Sequence, residues 1–155
     1  MALEPGYWRR KRLAEMSAEE WEALCDGCGK CCLVLLRDDA TGAVHETDVA
    51  CRLYAPATRR CADYAKRHER VPDCVRMTAE NVASLTWMPP TCAYRLVAGG
   101  EDLPNWHPLR TGDARSVDAA GAAAPKGLVS EDDVAFADLE DHVVGLREPG
   151  RRRRP

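Results

Sequence analysis

Residues 25–32 read Cys25-Asp26-Gly27-Cys28-Gly29-Lys30-Cys31-Cys32, four sulfurs in eight residues with a glycine on each side of Cys28. Thiolates bind soft and borderline metals well, and two intervening residues let the chain fold back so that successive sulfurs reach one ion or cluster. Glycines at 27 and 29 free the backbone to wrap tightly and to turn its N–H groups toward sulfur. Lys30 adds a positive charge that favours thiolate over thiol. A helical path through the same residues would still gather the four cysteines within about a third of the helix circumference. Either geometry gives a multidentate sulfur site.

The flanks present this stretch on short elements. Ser17-Ala18-Glu19-Glu20 is a capping box that predicts a short helix carrying Trp21 and Leu24 into Cys25. After Cys32, Leu33 to Leu36 reads as a strand, Asp38 to Gly42 as a turn, and Ala43 to Val49 as a return strand. Cys51 follows that strand, and Tyr54-Ala55-Pro56 reads as a loop. A helix is predicted from Cys61 to about Glu69, closed by Pro72-Asp73-Cys74. Thr78 caps a predicted helix over 79–86, stopped by Pro89-Pro90, and Thr91 caps another from Cys92 to Gly99-Gly100. The four later cysteines thus stand at element edges, where a metal ties elements together.

Further out, Tyr7, Trp8, Leu13 and Met16 have the spacing of one apolar helix stripe, interleaved with Arg9-Arg10-Lys11-Arg12. That basic run reads better as a solvated face than as a nucleic-acid contact, because acidic residues follow it closely. In Leu103-Pro104-Asn105-Trp106-His107-Pro108-Leu109, an anchoring Trp and a hydrogen-bonded His are the favoured reading; His107, His45 and His68 are also candidate ligands. His142 is not. Residues 111–126 are Ala- and Gly-rich, Ser130 caps a predicted helix through Leu139 and Val144, and Arg151 to Arg154 form a basic, disordered tail.

Composition explains why metal matters. Leu, Ile, Val and Phe together supply 27 of 155 residues, about 17% against the roughly 20% that marks an ordinary core. Net charge is only −3, so self-repulsion does not enforce disorder, but aliphatic burial alone does not offset chain entropy. A structural zinc site contributes on the order of 10 to 16 kcal/mol of coupled folding free energy. Metal removal is therefore expected to loosen the fold. The longest aliphatic run, Leu33 to Leu36, is too short to span a bilayer and no amino-terminal apolar run follows the basic cluster, so a cytoplasmic, membrane-free protein is expected. A reducing compartment disfavours disulfides and leaves eight thiols for metal. The pI near 5.8 weighs against nucleic acid as a partner.

With these residues in hand, the chain resembles a bacterial family of zinc- or iron-chelating CxxCxxCC proteins. The likeness rests on Cys25 to Cys32, Val49-Ala-Cys51-Arg-Leu, Cys61-Ala-Asp-Tyr64, Pro72-Asp-Cys74, Leu85-Thr-Trp-Met-Pro-Pro-Thr-Cys92-Ala-Tyr-Arg-Leu and Leu103 to Leu109, and covers about residues 5 to 145. The resemblance implies metal binding. The same signature occurs in a domain of flagellin lysine N-methylases, which also implies methyl transfer, although this chain has no strand followed by a GxGxG loop.

The resulting expectation is a small, irregular α+β fold, short helices around a β-hairpin, held by cysteine-ligated metal. Residues 1–16 form a basic and aromatic segment, 17–145 a cysteine-rich metal-binding domain and 146–155 an Arg-rich tail. The candidate ligands are Cys25, Cys28, Cys31, Cys32, Cys51, Cys61, Cys74 and Cys92. CxxCxxC with one distant thiol suits a [4Fe-4S] cluster, and two groups of four suit two tetrahedral zinc sites. Adjacent Cys31 and Cys32 tend to point apart and so can serve different metals. The alternative is a metal- or cluster-dependent enzyme of methyltransferase or oxidoreductase type, which needs an open coordination position.

Overall fold

A computed structural model describes residues 3–147 of the chain. In order it contains helices α1 (Tyr7–Arg10) and α2 (Ala18–Ala23), strands β1 (Leu33–Arg37), β2 (Val44–Ala50), β3 (Tyr54–Ala55) and β4 (Arg60–Cys61), helices α3 (Arg67–Arg70), α4 (Ala93–Ala98), α5 (Pro108–Thr111) and α6 (Ser116–Ala119), and strands β5 (Val129–Ser130) and β6 (Val143–Leu146), joined by 3-10 turns. Among the described residues no α-helix exceeds six residues. Helices this short gain little from cooperativity and depend on packing and caps. The small, mixed α+β fold expected from the sequence is observed. No described helix is long and apolar enough to cross a membrane.

The chain divides into two compact units. The described part of the first comprises residues 3–28 and 77–123, and that of the second residues 29–76 and 124–147. The division falls inside the cysteine motif, between Cys28 and Gly29. The basic run Arg151 to Arg154 lies outside the described residues.

The first unit packs large aromatic side chains among aliphatic ones. Tyr7, Trp8, Leu13, Leu24, Val82, Ala93, Tyr94 and Leu103 form its core. Each large ring also satisfies its polar end: Tyr7 Oη donates to the Glu20 carbonyl at 2.7 Å, Tyr94 Oη to the Trp21 carbonyl at 2.7 Å, and Trp8 Nε1 to Asp102 at 2.8 Å. Those bonds let apolar bodies be buried without leaving polar tips unpaired. Ser17 caps α2 as expected, its Oγ accepting from Glu20 N–H at 3.1 Å while the Glu20 carboxylate accepts from Ser17 N–H at 3.0 Å.

Several local expectations are corrected here. The stripe from Tyr7 to Met16 is not one helix: α1 ends at Arg10 and a separate 3-10 turn spans Leu13–Glu15, yet Tyr7, Trp8 and Leu13 are all buried. Each of the four basic residues meets a carboxylate, Arg9 with Asp102, Arg10 with Glu4, Lys11 with Glu20 and Arg12 with Glu15, at 2.8–3.3 Å. The helix expected over 79–86 shrinks to a turn at Val82–Ser84, and Cys92, not Thr91, occupies the N-cap of α4.

The second unit is a sheet. β1 and β2 form the expected antiparallel hairpin, turned at Asp38, whose Oδ1 accepts from Ala40 and Thr41 N–H groups at 2.8 and 3.2 Å. The other edge of β2 takes two strands from far along the chain, β5 in parallel and β6 antiparallel. Leu33, Val49, Ala50 and Leu53 are buried, and fully buried Thr47 donates to the Val34 carbonyl at 2.7 Å. The sequence expectation of a loop at Tyr54 and a helix from Cys61 fails: Tyr54 pairs with Cys61 in the β3–β4 ribbon, and helix begins only with the turn at Tyr64–Lys66. Likewise Ser130 caps only a 3-10 turn, and Val143 and Val144 lie in β6 rather than in a helix. Alternation of two strand positions and a helical 3–4 spacing are indistinguishable in so short a run.

Candidate metal centre

The two motif glycines adopt the left-handed conformation that their positions predicted, with φ of 75° at Gly27 and 79° at Gly29. Gly29 carries a second constraint. A Cβ there would lie 3.0 Å from Tyr54 Cε2 and 3.1 Å from its hydroxyl. The turn therefore passes directly against the Tyr54 ring, and a 3-10 turn over Lys30–Cys32 follows.

In the second unit five cysteines come from four segments. The hairpin ladder places Leu33 opposite Ala50, and just beyond it Cys51 N–H donates to the Cys32 carbonyl at 2.8 Å. Cys61 is fixed by its pairing with Tyr54, and Cys74 N–H closes a turn onto the Val71 carbonyl at 2.9 Å. Burial pushes the Cys51 thiol up, and charges at Glu131, Cys74 and Cys61 add to the rise. Burial also pushes the Cys74 thiol up, with Cys61 and Cys31 contributing and the Arg67 guanidinium opposing. The Cys31 thiol is held well above its ordinary value by a hydrogen bond with the Cys32 thiol, then by burial and the Cys32 charge, with Arg147 opposing. Cys31 combines an exposed residue surface with dense protein around its sulfur. Cys31, Cys51, Cys61 and Cys74 thus lie within electrostatic reach as a connected set.

Two cations serve this set. Arg147 is buried and donates through Nη2 to the Lys30 carbonyl at 2.9 Å, on the residue before Cys31, with the Glu46 carboxylate at 3.4 Å. Arg67 stacks its guanidinium 3.8 Å over the Tyr64 ring and donates to the Tyr64 carbonyl at 2.7 Å. Neither was singled out from sequence; a lone Arg at either position gives no pattern to find.

The first unit holds Cys25, Cys28 and Cys92. Cys28 is buried against Val117 and Ala122, and its N–H donates to Asp26 Oδ1 at 3.0 Å. Cys92 packs on the aromatic core that contains Leu24. His107 is fully buried. Its Nε2 lies 2.8 Å from the Leu24 carbonyl and its Nδ1 accepts from Leu109 N–H at 3.0 Å. Because a carbonyl only accepts, Nε2 carries the proton and the ring is neutral. Burial accordingly pulls its pKa down. This is the hydrogen-bonded role favoured for His107 from sequence. His45 pairs with Leu146 across β2 and β6, and His142 Nδ1 lies 2.7 Å from Asp48.

Among the described residues no three His, Cys, Asp or Glu side chains converge closely enough to enclose an ion. The donor chemistry nevertheless fits one: neighbouring thiols whose negative forms repel one another are relieved by a divalent cation, which displaces their protons. Among the described residues, the buried atoms Asp26 Oδ2 and His68 Nε2 also have no hydrogen-bond partner. Closing a site on these donors requires local side-chain and backbone movement.

Residues 24–93 match the family CxxCxxCC, described as "Putative zinc- or iron-chelating domain". Over nearly its whole length the chain is 52% identical, across 143 residues, to a UPF0260 protein of Parvibaculum lavamentivorans, covering 92% of this chain and 93% of the relative. The chain belongs to the UPF0260 family. Other UPF0260 relatives include that of Rhodopseudomonas palustris, 53% identical over 89% of this chain and 82% of the relative, and that of Azotobacter vinelandii, 49% identical over 92% and 95%. No solved structure matches the chain. The match to the CxxCxxCC family spans Cys25 through Cys92, all eight thiols of this UPF0260 chain.

Proposed function

We propose that the chain is a metal-chelating protein whose second unit takes zinc or iron through Cys31, Cys51, Cys61 and Cys74. The observation that carries this reading is the electrostatic coupling of these four thiols across four separate segments. Four thiolates with zinc or with a [4Fe-4S] cluster leave a net negative centre, and Arg67 and Arg147 supply compensating charge beside Cys74 and Cys31. When bound, the metal supplies cross-links that the thin aliphatic core lacks. The chain's residues do the rest: the β1–β2 ladder fixes Cys32 beside Cys51, the Tyr54 pairing fixes Cys61, and the cations favour deprotonation. A reducing cytoplasmic setting is part of this reading, since it keeps the thiols free.

Elemental analysis of anaerobically purified protein identifies the metal, a brown preparation with inorganic sulfide marking a cluster and a colourless one with stoichiometric zinc marking a tetrathiolate site. Adding zinc to the apo-protein in weak buffer should release roughly three to four protons, because raised thiols bind metal only after deprotonation. Absence of bound metal together with no proton release overturns the reading.

A further inference from the structure

Tyr64, Phe136, Val143, Val144 and Leu146 are the large apolar side chains that the described residues leave exposed, Phe136 at 88%. All five lie in the second unit, in two segments of opposite charge. Four of them fall in residues 131–146, where residues 131–141 carry six carboxylates and no Lys or Arg. Tyr64 falls in residues 59–76, which carry six Lys or Arg against three carboxylates. The net charge of −3 for the whole chain conceals this separation.

Little of this charge is neutralised within the chain. Glu131 and Asp132 each meet Arg52 at 3.3 Å, and Arg70 meets Asp63 at 3.3 Å. Asp133, Asp138, Glu140 and Asp141 on one side, and Arg60 and Lys66 on the other, are exposed and form no ion pair among the described residues. The apolar groups between these charges are held on defined backbone. β6 carries Val143, Val144 and Leu146 along the edge of β2, and His142 Nδ1 lies 2.7 Å from Asp48 at the start of that strand. Tyr64 is braced by the Arg67 guanidinium, stacked 3.8 Å over its ring. An apolar centre ringed by charge is the make-up of a docking patch, and each patch here supplies the charge that the other lacks.

We propose that the two patches are the halves of one self-association surface, on which a second copy of the chain docks about a twofold axis. The acidic patch around Phe136, Val144 and Leu146 in each copy meets the basic patch around Tyr64 in the other. Twofold symmetry makes each complementary contact twice, so that interactions weak singly are doubled. Like patches repel, which sets the orientation of the two copies. A contact of this size and polarity holds in the micromolar range and is sensitive to salt. No thiol takes part, so the surface stands apart from metal chelation.

Sedimentation equilibrium of the full-length protein as purified, with reductant present to remove disulfide-linked species, is the measurement. Wild type should show a monomer–dimer equilibrium. Its dissociation constant should rise at least about tenfold as sodium chloride goes from about 0.01 to about 1 M and the Debye length falls from about 30 to about 3 Å. One variant reverses the acidic patch through Asp138→Lys and Glu140→Lys, and another reverses the basic patch through Arg60→Glu and Lys66→Glu. Each alone should dissociate at least about tenfold more readily, because every reversal is felt twice across the axis. An equimolar mixture of the two should regain a dimer of near wild-type stability, since the unchanged patches meet one another and so do the reversed ones. A tail or loop pairing with these charges inside one chain cannot produce that recovery. Phe136→Ser should weaken the dimer and leave its salt dependence in place. A wild type that stays monomeric to about 1 mM, a salt-independent dimer, a dimer indifferent to either reversal, or a mixture no tighter than its components overturns the proposal. The salt titration needs no variant, so it decides the matter even if a substituted chain fails to fold by circular dichroism.

Discussion

Replacing Gly29 by alanine tests how closely the metal-binding turn is tied to the ribbon that carries Cys61. Two effects add. At φ of 79° a Cβ meets the backbone penalty of the left-handed region, about 1–2 kcal/mol. The new carbon would also lie 3.0 Å from Tyr54 Cε2 and 3.1 Å from its hydroxyl, inside the roughly 3.5–4.0 Å at which carbon contacts become attractive. The ring must retreat by several tenths of an ångström, and overpacking of this kind costs about 1–3 kcal/mol. Gly42, in the hairpin turn of the same unit, is the internal control: its φ is 75° and nothing lies within 4 Å of its built Cβ. Urea denaturation of the reduced apo-protein should show Gly29→Ala destabilised by about 1–3 kcal/mol more than Gly42→Ala. Because Tyr54 pairs with Cys61, chelator competition should also show zinc affinity falling by about tenfold in Gly29→Ala, equivalent to about 1.4 kcal/mol, and little changed in Gly42→Ala. Equal destabilisation in the two variants, with equal zinc affinity, would refute the close approach as an energetic constraint.

Three other outcomes follow from the first unit. Burial and the Glu20 carboxylate push the Tyr7 hydroxyl up to about 12. Its folded state therefore holds the proton more tightly, a contribution of about 2–3 kcal/mol that is complete below pH 10 and lost as pH rises toward 12; Tyr7→Phe should lose stability at pH 8 and flatten this alkaline limb. His107 has the opposite sign, since burial lowers its pKa: its contribution is present above about pH 6.5 and lost as pH falls through the folded value. Urea midpoints of the apo-protein should drop between pH 7 and 5, and His107→Gln should reduce that drop; an identical slope in the variant contradicts the assignment. Ser17→Ala should cost about 1 kcal/mol in thermal or urea unfolding, and Ser17→Gly less.

What could be read from the residues was whatever is encoded within a few positions. The capping box at Ser17 and Glu20, the hairpin from Leu33 to Ala50 and the glycine-dependent turn at residues 27–29 depend on neighbours alone, and all three occur. Two of the misread segments are those where a strand partner, not the local pattern, decides. Cys61 is a strand residue because Tyr54 pairs with it, and Val143 is a strand residue because Thr47 does. At the candidate centre, the cysteines were legible from chemistry and spacing, but their separation between units was not, because spacing along the chain does not determine which compact body a residue joins. Asp26 was in plain view inside the motif. Its unpaired buried oxygen is a consequence of three-dimensional burial that no spacing reports.

The pairing of β2 with β5 and β6 has a consequence for biosynthesis. Val49 must wait for Val129, and His45 for Leu146, so about 80 to 100 residues separate the strands that meet. At about 5–20 residues per second the ribosome takes several seconds or more to deliver the later strands. During that interval Cys31 to Cys74 have emerged while the sheet that positions them is incomplete. The nascent chain is then a flexible polythiol, open to capture by any available soft ion, before the segments that define its pairing exist.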